Sequence, residues 1–301
     1  MKIHALVVMY NSSLFESETI QHLFKANVEQ ISLKIIVWNN GPHEFDKDDV
    51  FGFLGKCKDK KIDSDIYQDT RNISLSKIYN FFVDTYSDSE YFTIFDQDTL
   101  VSDDFFINIR NNKDCHVIIP LIFSPTEPDE IRSPSYFDHK PFHHGEFNLG
   151  DCYAVGSCLT FSNHLKNLIV ANGEKCFDEN YAFYRVDTQF FFHIKKFNYF
   201  KGICIGQIFH HLSEKDDPSK MNQFKKLEIG YDKLLSRIHN RRKSFLKNIL
   251  YCVRLKCKYR INMRGFINLI RCAINKKHPR TMLHIEKNKK VSYSSTFIKN
   301  D

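Results

Sequence analysis

No apolar run in this 301-residue chain approaches the ~18 residues that a membrane-spanning helix needs, so an integral helical membrane protein is not expected. The apolar patch Ile3 to Met9 runs straight into Tyr10-Asn11-Ser12 with no small-residue cleavage site, and reads as a first strand rather than a signal peptide. The nine cysteines are odd in number and scattered, with no Cys-x-x-Cys pair, which points to reduced thiols and a cytoplasmic setting. His143-His144 and His210-His211 lack a cysteine at ligand spacing, which argues against zinc. Acid is missing from one stretch: Arg237 to Arg280 holds 14 Lys/Arg and no Asp or Glu, although the whole chain is only +7. The rest of the chain is therefore net acidic, and the basic tail suggests an anionic partner, either nucleic acid or anionic lipid.

Against these absences stands Tyr91-Phe92-Thr93-Ile94-Phe95-Asp96-Gln97-Asp98-Thr99. Five apolar, aromatic or β-branched residues without alternation predict a strand covered on both faces, as in an α/β sheet. It ends in two carboxylates one residue apart, at the strand end where such sheets bind ligands. Crowded carboxylates repel unless a cation lies between them, so the pair predicts a divalent metal carrying a substrate phosphate. The alternative is that Asp96 caps the following turn and Asp98 is solvated.

In chain order, a strand from Ile3 to Met9, a helix from about Ser17 to Gln30 and a strand from Leu33 to Trp38 make a βαβ unit with a parallel pair. Asn39-Asn40-Gly41-Pro42 is a turn signal. Residues 43–61 are charged and carry no readable period. A short strand within Ile62 to Asp69 precedes a helix with Ser74 as its cap. After the acidic strand, a helix from Asp103, a strand from Cys115 to Pro120, a loop-rich stretch over 124–150 and a strand from Val155 to Phe161 follow. A helix entered at Arg185 and a strand from Ile203 to Phe209 lead to His210-His211-Leu212-Ser213, and the pattern from Met221 onward is helical and basic.

Six elements in this order, Val8-Met9-Tyr10-Asn11, Val37-Trp38-Asn39-Asn40-Gly41, Phe95-Asp96-Gln97-Asp98-Thr99, Gly156-Ser157-Cys158-Leu159, Phe177-Asp178-Glu179 with Val186-Asp187, and His210-His211-Leu212-Ser213, resemble the family 2 inverting glycosyltransferases. The likeness is to the rhamnosyltransferase-type branch that builds bacterial surface polysaccharide such as O-antigen or capsule. It implies a GT-A fold, an α/β Rossmann-like domain with a mostly parallel central sheet, over residues 1–215. Its nucleotide-binding half would be about 1–115 and its acceptor-binding half about 116–215, followed by a basic helical region over 216–301.

The resemblance also implies roles. Tyr10, Asn11, Asn39 and Asn40 would hold the base and ribose of a nucleoside-diphosphate sugar; many family members have aspartate where Asn39 stands, and an amide still hydrogen-bonds a base or hydroxyl. Asp98 would bind Mn2+ or Mg2+ directly. Asp96 would bond the ribose or a metal-bound water, Gln97 would lie between them, and His210 would complete the metal shell or touch the diphosphate. Asp187 would be the general base, with Asp178 and Glu179 competing for that role or touching the acceptor, and Gly156 and Ser157 would sit under the acceptor. Asp187 reads equally as an N-cap for Thr188 to Ile194. The donor implied is dTDP-rhamnose, with a UDP-hexose as the alternative, and the acceptor a lipid-linked oligosaccharide.

In the tail, Phe245, Ile249, Val253 and Leu255, then Phe266, Ile267, Leu269, Ile270 and Ile274, recur at near-helical spacing among Lys and Arg. Such helices either lie on an anionic membrane surface, placing the protein on the inner face of the cytoplasmic membrane, or pack on the catalytic domain with a solvated basic face. A nucleotidyltransferase would open with a glycine-rich phosphate loop, and Val7 to Ser13 contains no glycine. A nucleic-acid-binding protein using Tyr251, Tyr259 and Phe266 as stacking platforms is the reading from another class, weakened by the net acidic body.

Overall fold

The computed structural model describes residues 1–138, 140, 142–210, 221–286 and 290–291. The chain opens with strand β1 (Lys2–Met9), helix α1 (Glu18–Leu23) and strand β2 (Ser32–Asn39), and β1 pairs parallel with β2 as the βαβ pattern predicts. Ser17 caps α1 by accepting from Ile20 N, but the helix stops at Leu23, short of the expected Gln30. Beyond it the Asn27 N–H bonds Asp103 O, a tertiary bond that takes the backbone out of the helix. Residues 43–61 contain helix α2 (Lys47–Asp59), capped by Asp46. It buries only Val50, Phe53 and Cys57, too few for its period to stand out among the charges.

Strand β3 (Asp63–Gln68), helix α3 (Leu75–Thr85), strand β4 (Tyr91–Asp96), short strand β5 (Thr99–Leu100), helix α4 (Phe105–Asn111) and strand β6 (Val117–Ser124) follow. Ser74 does precede α3, yet its hydroxyl meets Ser76 and Tyr181 O instead of capping the helix. The stretch expected to be loop-rich holds β7 (Glu127–Ser133), β8 (Ser135–Tyr136) and β9 (Gly145–Asn148), with β10 (Cys152–Tyr153) just after it. These strands are short or exposed: β7 folds back on β6 as an exposed hairpin, and β8 to β10 pair across longer separations, so no local alternation marks them. The strand expected from Val155 begins at Leu159, as β11 (Leu159–Ser162), because Leu159 N turns back to Gly156 O and Cys158 is left-handed at φ 62°. Helices α5 (Asn163–Ala171) and α6 (Val186–Ile194), strand β12 (Lys201–His210) and helices α7 (Gln223–His239), α8 (Phe245–Tyr259) and α9 (Met263–Asn275) complete the described chain.

One sheet organises these elements in the order β3-β2-β1-β4-β11-β6-β12-β5, with β7 on β6 and β9 on β12. The pairs β3–β2, β2–β1, β1–β4 and β6–β12 are parallel, and β11 runs antiparallel between β4 and β6. Both faces are covered, as the apolar run at β4 predicts. Ile3, Ala5, Val7 and Met9 face one core, and Leu6 and Val8 face the other. The second core also takes Leu234 and Leu235 of α7, Leu255 of α8 and Leu269 of α9, so the basic C-terminal helices pack on the sheet domain.

The turn after β2 depends on a glycine. Gly41 has φ +94°, and a Cβ there would lie 2.5 Å from Thr70 O. Gly41→Ala is expected to destabilise the fold by more than ~1 kcal/mol, read as a lower Tm. Gly55→Ala, in α2 with open space around it, serves as the control and should leave Tm unchanged or slightly raised.

Candidate active site

Strand register builds the site. Val8 of β1 pairs with both Trp38 and Asp96, so the residues just past the three strand ends, Tyr10, Asn40 and Gln97, emerge on one edge of the sheet. From the other side, β12 pairs antiparallel with β5, placing His210 opposite Thr99. The buried His210 ring thereby sits between the two carboxylates, with Nε2 3.4 Å from Asp96 Oδ2 and Nδ1 3.4 Å from Asp98 Oδ1. Nδ1 makes no hydrogen bond. Residues 211–213 of the sequence motif, including His211, lie outside the described residues.

The intervening Gln97 ties this edge to the first loop. Its Oε1 accepts from Tyr10 N at 2.7 Å, and its carbonyl accepts from Ser17 Oγ at 2.7 Å and Thr19 N at 3.2 Å. Thr19 Oγ1 in turn bonds Asp96 O and accepts from Thr99 N. The two aspartates thus project from a braced turn. Asn11 is left-handed at φ 52° and donates its N–H to Gly41 O at 2.7 Å, joining the loops after β1 and β2.

A cleft of about 980 Å3 opens over this edge, lined by Tyr10, Asn40, Asp96, Gln97, Asp98, Gly156, Asp187 and His210 among others. Asn40 is buried, its Nδ2 donating to Ile73 O at 3.0 Å, and its Oδ1 has no partner. Asp187 accepts from Gly156 N at 2.9 Å through Oδ2 and from Thr188 N at 2.6 Å through Oδ1. The helix cap is Arg185, left-handed at φ 68°, so Asp187 stands inside the first turn of α6 rather than at its N-cap. Gly156 leaves the space beside it open: a Cβ would reach Asp187 Cβ at 3.8 Å and Tyr79 Oη at 3.9 Å.

Four residues singled out from the sequence do not line the cleft with these, and neither does Asn11. Asn39 is buried and spends its amide inside the turn, donating to His43 O and Gln68 Oε1 and accepting from Gly41 N. Ser157 is buried against Thr99 Oγ1. Asp178 closes an Asx turn on Asn180, and Glu179 pairs with Lys175 at 2.6 Å. Asn39 and Asp178 thus spend their side chains in ordinary turn chemistry, Ser157 in a tertiary bond to Thr99 and Glu179 in an ion pair.

Sequence reasoning missed the cleft's cations and its lid of C-terminal residues. Arg132, Arg185, Lys233 and Arg280 all line it, as do Phe183, Phe224 and Tyr259. Arg185 pairs with Asp232. Arg280 donates to Glu228 Oε2 at 2.7 Å and lies 5.6 Å from the Phe183 and Phe224 ring centres, and Glu228 also meets His278 Nε2 at 3.2 Å. Burial would raise the Glu228 pKa, but the bonds and charges of His278 and Arg280 overcome it and hold the carboxyl low. The one signal in the sequence was the acid-free basic tail.

Two carboxylates and an imidazole opening into a cleft suit a hard divalent ion such as Mg2+ or Mn2+. Among the described residues, no three His, Cys, Asp or Glu side chains converge as a ready-made ion site. An ion at Asp96 and Asp98 would therefore draw its remaining ligands from phosphate oxygens and water, as Mg2+ does where one or two carboxylates hold it.

Burial disfavours a charged His210, but the Asp96 contact and the charges of Asp96 and Asp98 outweigh it, so its pKa is raised. A raised imidazole pKa contributes stability that is full below ~6.5 and is lost as pH climbs through the folded-state value. In metal-free protein, Asp96→Asn should lower the His210 pKa and narrow that window, as followed by NMR of the ring protons. An unchanged pKa in the variant would contradict the geometry.

No family model matches the chain, and no curated protein matches it. Solved structures do. TarS 1–349 of S. aureus in complex with UDP-GlcNAc superposes with TM-score 0.52 at 12% identity, covering 92% of this chain and 72% of that one. TarS of S. aureus in a longer form gives 0.51 at 12%, covering 93% and 54%. GalNAc-T7 with UDP, GalNAc and Mn2+ gives 0.50 at 9%, covering 92% and 58%. At these identities the likeness is one of fold, and with the largely parallel sheet it gives this chain the GT-A architecture of nucleotide-sugar glycosyltransferases.

Proposed function

We propose that this chain is an inverting, divalent-metal-dependent glycosyltransferase that moves a sugar from a nucleoside diphosphate to a saccharide acceptor. The observation that carries the reading is the convergence, in one cleft, of Asp96, Asp98 and His210 from the strand ends with Asp187 from the start of α6. Residues 1–115 would serve the donor and 116–215 the acceptor, with the C-terminal helices of 216–301 closing the cleft.

The unpartnered, buried Asn40 Oδ1 suits an N–H donor on a base, and Tyr10 offers an exposed ring beside it. Asp98 and Asp96 would hold a divalent ion, whose charge would offset that developing on the departing diphosphate. Asp187, held by the Gly156 and Thr188 N–H groups, takes the proton of the acceptor hydroxyl as its oxygen bonds the anomeric carbon. The bond from that carbon to the diphosphate oxygen breaks with its electron pair leaving on the diphosphate, and configuration inverts. The donor proposed is dTDP-rhamnose, from the motif resemblance; a UDP-hexose is the alternative, and TarS and GalNAc-T7 were both solved with uridine nucleotides.

The proposed acceptor is a lipid-linked oligosaccharide of bacterial surface-polysaccharide synthesis, met at an anionic membrane surface. Among the described residues no helix is long and apolar enough to cross a membrane. On α8, however, Leu246, Leu250 and Val253 form an exposed apolar stripe, with Leu246 73% and Leu250 70% exposed. Met263, Ile267 and Ile274 form another on α9. Lys247, Arg254 and Lys258, and Arg264 and Arg271, run alongside one residue further round each helix, the pairing that lays a helix on anionic headgroups.

Thermal stabilisation by a panel of nucleoside diphosphates, with and without Mn2+, tests the donor site. One nucleotide should raise Tm in the presence of metal, and Asp98→Ala should abolish the shift. Asp187→Asn should keep the shift while lowering kcat roughly 100-fold or more. No shift for any nucleotide by folded protein sinks the transferase reading. Separately, Leu250→Glu with Ile267→Glu should abolish sedimentation with phosphatidylglycerol vesicles while leaving the nucleotide shift intact.

A further inference from the structure

A second cavity, of about 380 Å3, lies between α7 and α8. Six cations line it, Arg185, Lys233, Arg237, Arg241, Arg254 and Lys258, and no acidic side chain does. Only Arg185 has an ion-pair partner among the described residues, Asp232. Arg237 lies over the Tyr251 ring at 4.8 Å, and its Nε is shut from solvent without a hydrogen-bond partner. So many like charges around one hollow repel one another unless an anion sits among them, and guanidinium forks match phosphate oxygens in pairs.

The hollow adjoins the active-site cleft. Arg185 and Lys233 line both, and Arg185 stands two residues before Asp187. The donor diphosphate is already provided for by Asp96 and Asp98 and the cation they would hold. A second anion, reaching the cleft by way of Arg185 and Lys233, would therefore belong to the other substrate.

We propose that this cavity binds a phosphate ester or diphosphate of the acceptor, anchoring it while its hydroxyl is presented to Asp187. The proposal rests on the transferase reading for the word acceptor; the phosphate site itself does not. Phosphate of this chemistry comes either from a lipid-linked diphosphate or from a soluble phosphate-bearing glycan. The Arg and Lys forks bind both alike, and the apolar stripes on α8 and α9 bear on the first alone.

Pyrophosphate titrated calorimetrically in the presence of EDTA tests the site apart from the metal-dependent donor site. Wild type and Asp98→Ala should bind it alike, while Arg237→Gln with Arg254→Gln should weaken it by about tenfold or more. The exposed pair Arg241→Gln with Lys258→Gln provides a second variant whose folding is not at issue. The metal-dependent nucleotide shift should survive in both double variants; a wild type that binds pyrophosphate but shows no nucleotide shift removes the transferase and leaves the phosphate site standing. Weakened binding of free glycerol 3-phosphate identifies a soluble ester, and weakened binding to phosphatidylglycerol vesicles by Arg237→Gln alone, which leaves the headgroup cations Arg254 and Lys258 in place, identifies a lipid phosphate; either supports the cavity. Pyrophosphate binding that is absent, or lost in Asp98→Ala and kept in the arginine variants, overturns it. A single-stranded oligonucleotide bound through these arginines by protein that ignores pyrophosphate overturns it equally.

Discussion

Two carboxylates one residue apart at a sheet edge repel each other unless positive charge stands beside them, and the rest of the site is arranged around that constraint. His210 supplies part of it from more than a hundred residues away in sequence. It reaches them only because β12 crosses to the sheet beside β6 and pairs its last residue with Thr99. A slip of one residue in that pairing would turn the imidazole to the other face and leave Asp96 and Asp98 to repel each other. Gln97 and Thr19 reinforce the same edge through the backbone, so the aspartates are fixed before any ligand arrives.

The C-terminal helices change what the cleft is. Without α7, Lys233 and Phe224 are missing from its lining, and without the segment that follows α9, so is Arg280. Their attachment is ordinary core packing, with Leu234, Leu235, Leu255 and Leu269 joining the cluster that contains Leu6 and Phe92. The buried trio Glu228, His278 and Arg280 then fixes one cation at the cleft by charge-assisted bonds, at a depth where an unpaired charge would be costly. A region that seemed from its pattern to stand apart from the chemistry is thus one of the cleft's walls.

The strands that carry the site were legible because each is a short apolar run ended by polar residues: β1, β2, β4 and β12 lie within a residue or two of where the pattern places them. The mostly parallel sheet followed from the βαβ spacing. Asp96, Asp98, Asp187 and His210 share the cleft because they sit at strand ends and a helix start, features local sequence does mark. Asn39, Ser157, Asp178 and Glu179 were misplaced for a complementary reason. Asn39 and Ser157 each lie beside a cleft residue in sequence, yet Asn39 faces inward while Asn40 faces the cleft, and Asp178 and Glu179 are held away from it by bonds to Asn180 and Lys175. Helix α2 stayed hidden because it buries only three residues among its charges, β7 because it is largely exposed and β8 to β10 because they are short, and Tyr79, buried beneath the cleft, looked like any core position of α3.

Charge is sorted along this molecule in a way that fits a reaction between two anions. Acid gathers at Asp96 and Asp98, where a diphosphate would need a cation to bind, and base gathers at Arg185, Lys233 and the α7–α8 hollow, where an anion would bind directly. Had both sites been basic, each phosphate would fit either one, and the substrates would compete. A metal requirement at one and none at the other would separate them by chemistry rather than by shape. Asp187 shares its cleft with Asp96 and Asp98 and with Arg185 and Lys233, which also line the hollow, and that is the position a base needs if it is to take a proton from one substrate while the other loses its diphosphate.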